Sequence, residues 1–445
     1  MKLTRLATLS LTLSVPVFGM ADGWDASLAD YPRRTGESDD TARLQRLIDD
    51  HPSGAVYLPR GTYHVSSPLV ITNMCSLSMN KGALVRATRE MSFVLDIDNR
   101  AMLRPLHHNR LLDYNIFVRG GTLDGNGLAG CMRLAGFMHF TLADMSFLNG
   151  RDYGLWVDGG CELIANNLYF RCLKSGLAGN TAVLVNGGDS HYTDCVVVDY
   201  TVGFRLKTSG SNRLTRCHVW GGKLPPLRAG EPCEMLKDSV CFWLEGGGGA
   251  MLRDCYADTG KTGFLVDAKH DTQLVGCWYF NNYGVFKLDD MTIIDHRRGN
   301  LTVSGCRFSK WEPTATVYVC SNAAATASWH DIAYSGFAHP ERLPGGVDYQ
   351  GQPCASPDEW NLLGLENPLR FASAPGEFAK AGSCRAQEAA LHVDALRRRF
   401  PSVGAGRELV VKARATDPRT TCVEFALIQR DGKAWGGVLP LTEAG

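Results

Sequence analysis

Several things are missing from this chain, and each absence removes a class of function. None of its 15 cysteines stands in a C-x-x-C pair, so the paired ligands of a tetrahedral zinc site are not there. Neither sign of charge dominates. Lys and Arg number 46, Asp and Glu 46, which leaves no global field to draw nucleic acid or an acidic membrane surface. Past the N-terminus no apolar run reaches the ~20 residues that a membrane span needs.

What is present is glycine, 48 residues of it, alongside strongly β-forming segments. That composition suits many tight turns rather than long helices. The first 21 residues read as a secretory signal: Lys2 and Arg5 form a basic end, Leu6 to Val17 an apolar run, and Gly19-Met20-Ala21 a small-residue cleavage site. The chain is therefore expected to be secreted or periplasmic.

Cysteine recurs in one short context along the middle of the chain: Asp194-Cys195, Arg216-Cys217, Asp254-Cys255, Gly276-Cys277 and Gly305-Cys306. The intervals are 22, 38, 22 and 29 residues. A period near 22 with in-out alternation after each cysteine indicates a solenoid of stacked coils. An odd number of cysteines at inward positions argues for buried free thiols rather than disulfides.

A second strand repeats in register: Gly154–Asp158, Ala182–Asn186, Gly203–Lys207, Cys241–Glu245 and Gly263–Asp267, with Gly284–Asp289 following after a one-residue slip. Alternation sends Leu155, Val157, Phe204, Leu206, Phe242, Leu244, Phe264 and Val266 inward. Like-to-like stacking ~4.8 Å apart predicts an all-β fold, a right-handed parallel β-helix. Two insertions break the period, at Gly221–Asp238 and Thr292–Arg298. An amphipathic helix carrying Leu44, Leu47 and Ile48, capped by Ser38 or Asp39, is expected to cover the N-terminal end, where open strand edges invite aggregation. The organisation expected is a signal peptide at 1–21, the β-helix at 28–322, irregular coils and a linker at 323–375, and a small β module at 376–445 open to continuation past Gly445. That module rests on two alternating runs, Leu409–Ala415 and Val423–Gln429, and a turn at Arg430-Asp431-Gly432.

The opening segment DDTARLQRLIDDHPSGAVYLPRGTYHV and the later Gly120-Gly-Thr-Leu-Asp-Gly-Asn-Gly127 resemble the pectate-lyase-like β-helix superfamily. The nearest likeness is to polygalacturonase-type family 28 glycoside hydrolases, over roughly residues 28–310. Gly203-Phe-Arg-Leu-Lys207-Thr-Ser-Gly-Ser is similar to the motif in which that family places a lysine against an acidic sugar, and the resemblance implies that role for Lys207. The family's paired aspartates are not matched, because Tyr200-Thr201-Val202 stands in their place. Its Gly-His-Gly is replaced by Val219-Trp-Gly-Gly222.

The outward positions of the glycine-led strand form the candidate face. Trp156, Asp158, Arg205, Lys207 and Trp243 are expected to bind a sugar polymer, the rings taking apolar sugar faces and the polar groups its hydroxyls or carboxylates. Hydrolysis needs two carboxyls, and stacking puts Glu245 and Asp267 on adjacent coils. Asp199 and Asp258 are expected on loops beside the same groove, able to complete a wider pair. The bland alternative is that these charges pair across coils, Lys207 with Glu245 for example. The function expected is cleavage of an acidic or pectin-like polysaccharide, by hydrolysis in preference to elimination. A lyase, with Arg205 and Lys207 as neutralising cations and Ca²⁺ held by Asp158, Asp267 and Asp289, and a non-catalytic glycan-binding β-helix are the alternatives. No cofactor other than that Ca²⁺ is indicated, and a polysaccharide is the expected partner.

Overall fold

The computed structural model describes residues 24–103, 116–173, 179–207, 210–221, 238–281, 291–310, 317–321 and 326–337, residue 343, and short strands at 223–224, 234–235, 422–428 and 434–440. The proposed signal at 1–21, residues 225–233 of the first insertion, the expected strand at Gly284–Asp289 and the Leu409–Ala415 run lie outside those residues.

The chain is a parallel β-helix. Among the described residues three parallel sheets of ten, twelve and eleven strands run its length, and we call them the first, second and third walls. Each coil passes through them in turn: Tyr153–Asp158, Cys161–Asn166 and Tyr169–Arg171 make one, and Thr181–Val185, His191–Thr193 and Val196–Tyr200 the next. The pairing continues through Ala333–Ser335.

The alternation read from the sequence holds on the first wall. Leu155, Val157, Phe204, Leu206, Phe242, Leu244, Phe264 and Val266 are all buried. Like stacks on like: the rings of Phe204, Phe242 and Phe264 lie nearly parallel at 5.8 and 5.3 Å. The expected strand at Gly284–Asp289 lies outside the described residues. The strand that pairs with Thr262–Ala268 is Met291–Arg298, the stretch that had read as an insertion. Met291, Ile293, Ile294 and His296 supply its buried positions, and its β-branched Thr-Ile-Ile run favours the extended chain.

The five cysteines are free and buried, but they sit at a corner rather than within a strand. Each follows one residue in the left-handed backbone region: Asp194, Arg216, Asp254, Gly276 and Gly305 have φ between 50 and 64°. That residue turns the chain from second wall to third. The next residue drops its side chain into the core. The thiols then donate to the coil beneath, Cys217 to the Tyr192 carbonyl at 3.4 Å, Cys255 to Leu214 at 3.4 Å and Cys277 to Leu252 at 3.4 Å.

A helix, Thr41–Asp49, buries Leu44, Leu47 and Ile48 near the N-terminal end. Asp39 accepts from the Thr41 N–H at 2.9 Å, while Asp40, at the capping position, is turned away to the His64 N–H at 2.7 Å. Cys422–Ile428 and Ala434–Pro440 form an antiparallel pair on either side of the Arg430-Asp431-Gly432 sequence.

Candidate functional site

Two outward columns run along the first wall. In the first, register places Asp96, Arg133, Trp156, Leu184, Arg205, Trp243, Leu265 and Asp295 over one another. In the second, Asp98, Asp158, Glu245, Asp267 and Arg298 face the same way, and Lys207 continues the ladder through its N–H to the Val185 carbonyl at 2.8 Å. Glu245 and Asp267 are register partners and both are partly exposed. The structure thus brings together Trp156, Asp158, Arg205, Lys207, Trp243, Glu245 and Asp267 on one face.

The charges on this face are organised into pairs. Arg205 Nε and Nη2 grip Glu245 at 3.1 and 3.2 Å, and the same guanidinium lies 3.8 Å from the centre of the Trp243 ring. The partner of Glu245 is therefore Arg205, not Lys207. An arginine fork can bind both oxygens and stack on an indole at once, which an ammonium cannot. The stacking also covers one face of Trp243. Arg298 bonds Asp267. At the N-terminal end, Arg133 meets Asp96 at 2.8 Å, Asp98 at 3.3 Å and Asp158 at 3.4 Å, and Arg100 reaches Asp158 at 3.7 Å. Arg100's hydrogen bond holds the Asp98 carboxyl below its ordinary range. Lys207 is exposed and makes no ion pair among the described residues.

Asp199 and Asp258 are not on loops. Both lie in third-wall strands, Val196–Tyr200 and Tyr256–Asp258. Asp199 occupies a bulge where pairing skips from Val198/Trp220 to Tyr200/Gly221. Its φ is 63° and its side chain is largely buried. Asp258 accepts from the Thr259 hydroxyl at 2.6 Å and lies 3.4 Å from His218 Nε2. The wider pairing with Glu245 that the sequence suggested thus places its second carboxylate on a different wall.

The third wall carries what the sequence reading passed over. His218 and Tyr256 stack at 4.5 Å, Trp278 meets Tyr256 edge-on at 5.9 Å, and Arg307 lies 5.2 Å over the Trp278 ring. Trp278 is 47% exposed. The signal was in the cysteine repeat itself. The residue after each cysteine points outward: Val196, His218, Tyr256, Trp278 and Arg307.

Among the described residues no three His, Cys, Asp or Glu side chains converge as a metal site. Asp158 and Asp267, expected as calcium ligands for a lyase, are both held by arginines.

Residues 130–308 match the family model described as "Right handed beta helix region", which agrees with the architecture seen. No curated protein matches the chain. Among solved structures the chain is similar to the endo-xylogalacturonan hydrolase of Aspergillus tubingensis, at 15% identity over 69% of this chain and 91% of that one, with a TM-score of 0.39. It is similar also to the family 28 exopolygalacturonase of Yersinia enterocolitica, at 12% identity over 70% and 75%, TM-score 0.45. The A-module of a mannuronan C-5 epimerase from Azotobacter vinelandii matches at 16% identity over 70% and 96%, TM-score 0.41.

Proposed function

We propose that this right-handed β-helix protein is an exported carbohydrate-active enzyme that lays an acidic polysaccharide across its first wall and hydrolyses it. One observation carries the reading. Glu245 and Asp267 are register partners on an outward face that also holds Arg205, Lys207 and Trp243. Strands ~4.8 Å apart put two such carboxyls near the ~5–5.5 Å of retaining glycosidases.

The two ion pairs divide the roles. Arg298 and Asp267 have side chains 51% and 24% exposed, and a pair of that kind contributes only about 0–1 kcal/mol. A bound sugar can open it and free Asp267 to face the glycosidic oxygen in the acid's place. Glu245, oriented through both oxygens by the Arg205 fork, takes the nucleophile's place. Lys207 meets the uronate carboxylate.

A second reading, a glycan binder without catalysis, is favoured by the same arginines, since both carboxylates are held by them. Incubating the purified protein with pectic, alginate-like and glycosaminoglycan polymers separates the readings. Hydrolysis yields new reducing ends without ultraviolet absorbance, elimination yields the absorbance of an unsaturated uronate, and a binder yields neither.

A further inference from the structure

Away from the first wall, the chain has a polar cleft of about 580 Å³ lined by Arg33, Ser38, Asp39, His64, Ser66, Thr88 and Arg89. It lies where the N-terminal segment crosses the first two third-wall strands, Gly61–Val65 and Ala83–Ala87. Three basic side chains converge there against one acid. The acid is already engaged, because Asp39 accepts from the Thr41 N–H at 2.9 Å. Arg33 bonds Asp40 at 2.9 Å from the rim. By contrast, the side chains of Arg89 and His64 have no hydrogen-bond or ion-pair partner among the described residues, and both are exposed to the cleft.

We propose that this cleft is a binding site for an oxyanion: a carboxylate, sulfate or phosphate group, free or carried on a sugar. Arg89 is the anchor. Its planar fork suits a trigonal or tetrahedral oxyanion, which accepts two parallel N–H bonds. His64 stands beside it, Arg33 lies at the rim in its pair with Asp40, and the Ser38 hydroxyl adds a short-range donor. The volume falls in the range of small-molecule sites, and the site is independent of the first-wall reading.

The test is a thermal-unfolding titration of the full chain with sodium sulfate, sodium phosphate and sodium galacturonate, each against sodium chloride at equal ionic strength. A ligand that binds only the folded state raises the midpoint in a concentration-dependent way. The proposal requires a rise with at least one of the three, retained in Lys207→Ala and weakened at least tenfold in apparent affinity in Arg89→Glu. Arg89→Gln serves if the glutamate variant does not fold. A larger response to galacturonate than to sulfate or phosphate identifies a sugar acid as the source, and the reverse identifies a free inorganic anion. The proposal is overturned by no rise beyond chloride with any probe, or by an unchanged rise in the Arg89 variants. Loss of the rise in Lys207→Ala alone also overturns it, because the anion then belongs to the first wall.

Discussion

Single residues decide what the face can do, and the clearest case is Arg205. Next in register to Glu245 stands Lys207, and sequence reasoning paired those two. The diagonal Arg205 wins because it bonds both carboxylate oxygens while lying on Trp243. Which diagonal a long side chain takes is a matter of rotamer and ring stacking, and neither is written in the strand period. The ladder cysteines were easier to read. They are buried, so a reagent cannot reach them in the folded chain, and burial pushes the Cys255 thiol well above its ordinary pKa. Iodoacetamide mapping by mass spectrometry is therefore expected to find Cys195, Cys217, Cys255, Cys277 and Cys306 unmodified in native protein and modified after denaturation.

His296 gives the residue scale a pH signature. It is 1% exposed, and its Nε2 lies 3.1 Å from the Gly299 carbonyl. Burial holds its pKa below the ordinary 6.5, against the raising influence of the Gly299 and Arg298 backbone and of Asp295. The folded state thus refuses a proton that the unfolded chain accepts, and stability falls as pH drops below about 6.5. The ion-paired carboxylates act in a lower window. The partners Arg100 and Arg216 hold Asp98 and Asp194 below the ordinary 3.8, and their contribution is lost only below about pH 4. Between pH 7.5 and 5.5 the unfolding midpoint is expected to fall in the native chain and to fall less in His296→Gln.

At the scale of elements, strands and corners differed in legibility. The first-wall register was readable because a period of two and a repeated glycine or cysteine mark it without ambiguity, and Trp243, Glu245 and Asp267 could be put on one face from it. The corner was not. Asp, Arg and Gly all serve as its left-handed residue, so its sequence looks unpatterned, and the cysteine beside it was assigned to a strand. The reading of Thr292–Arg298 as an insertion has the same origin: two apolar runs lie close together in the sequence, and only pairing shows that this one is a strand. The corner makes its own prediction. A Cβ on Gly305 meets nothing within 4 Å, so any cost comes from its φ of 61°. Gly305→Ala is expected to destabilise by roughly 1–2 kcal/mol. Gly305→Asn should cost less, since Asn167 already holds φ 51° at the matching corner. Equal midpoints for the two variants in thermal unfolding would count against this account of the turn.

The whole molecule is a stack in which each coil is stabilised by its neighbours, so its ends need closing. At the N-terminal end polar side chains do this directly. The Gln45 amide accepts from the Val70 N–H at 2.8 Å and donates to the Val70 carbonyl at 2.9 Å, standing in for a missing strand beside the terminal strand Leu69–Ile71 of the first wall. Asp40 does the same for His64 on the third wall. Gln45→Ala leaves that edge open to a second chain. It is expected to raise aggregation on storage, read by light scattering, with a loss of about 1 kcal/mol in stability.

The stack also builds the candidate site, because adjacency across coils is what pairs Glu245 with Asp267. The most direct measurement compares native protein with Glu245→Gln on the acidic polymer that the native protein cleaves, following reducing ends and binding together. Glu245→Gln is expected to lose turnover at least a thousandfold with binding to the polymer retained. Full turnover by Glu245→Gln would contradict the nucleophile's place given to Glu245.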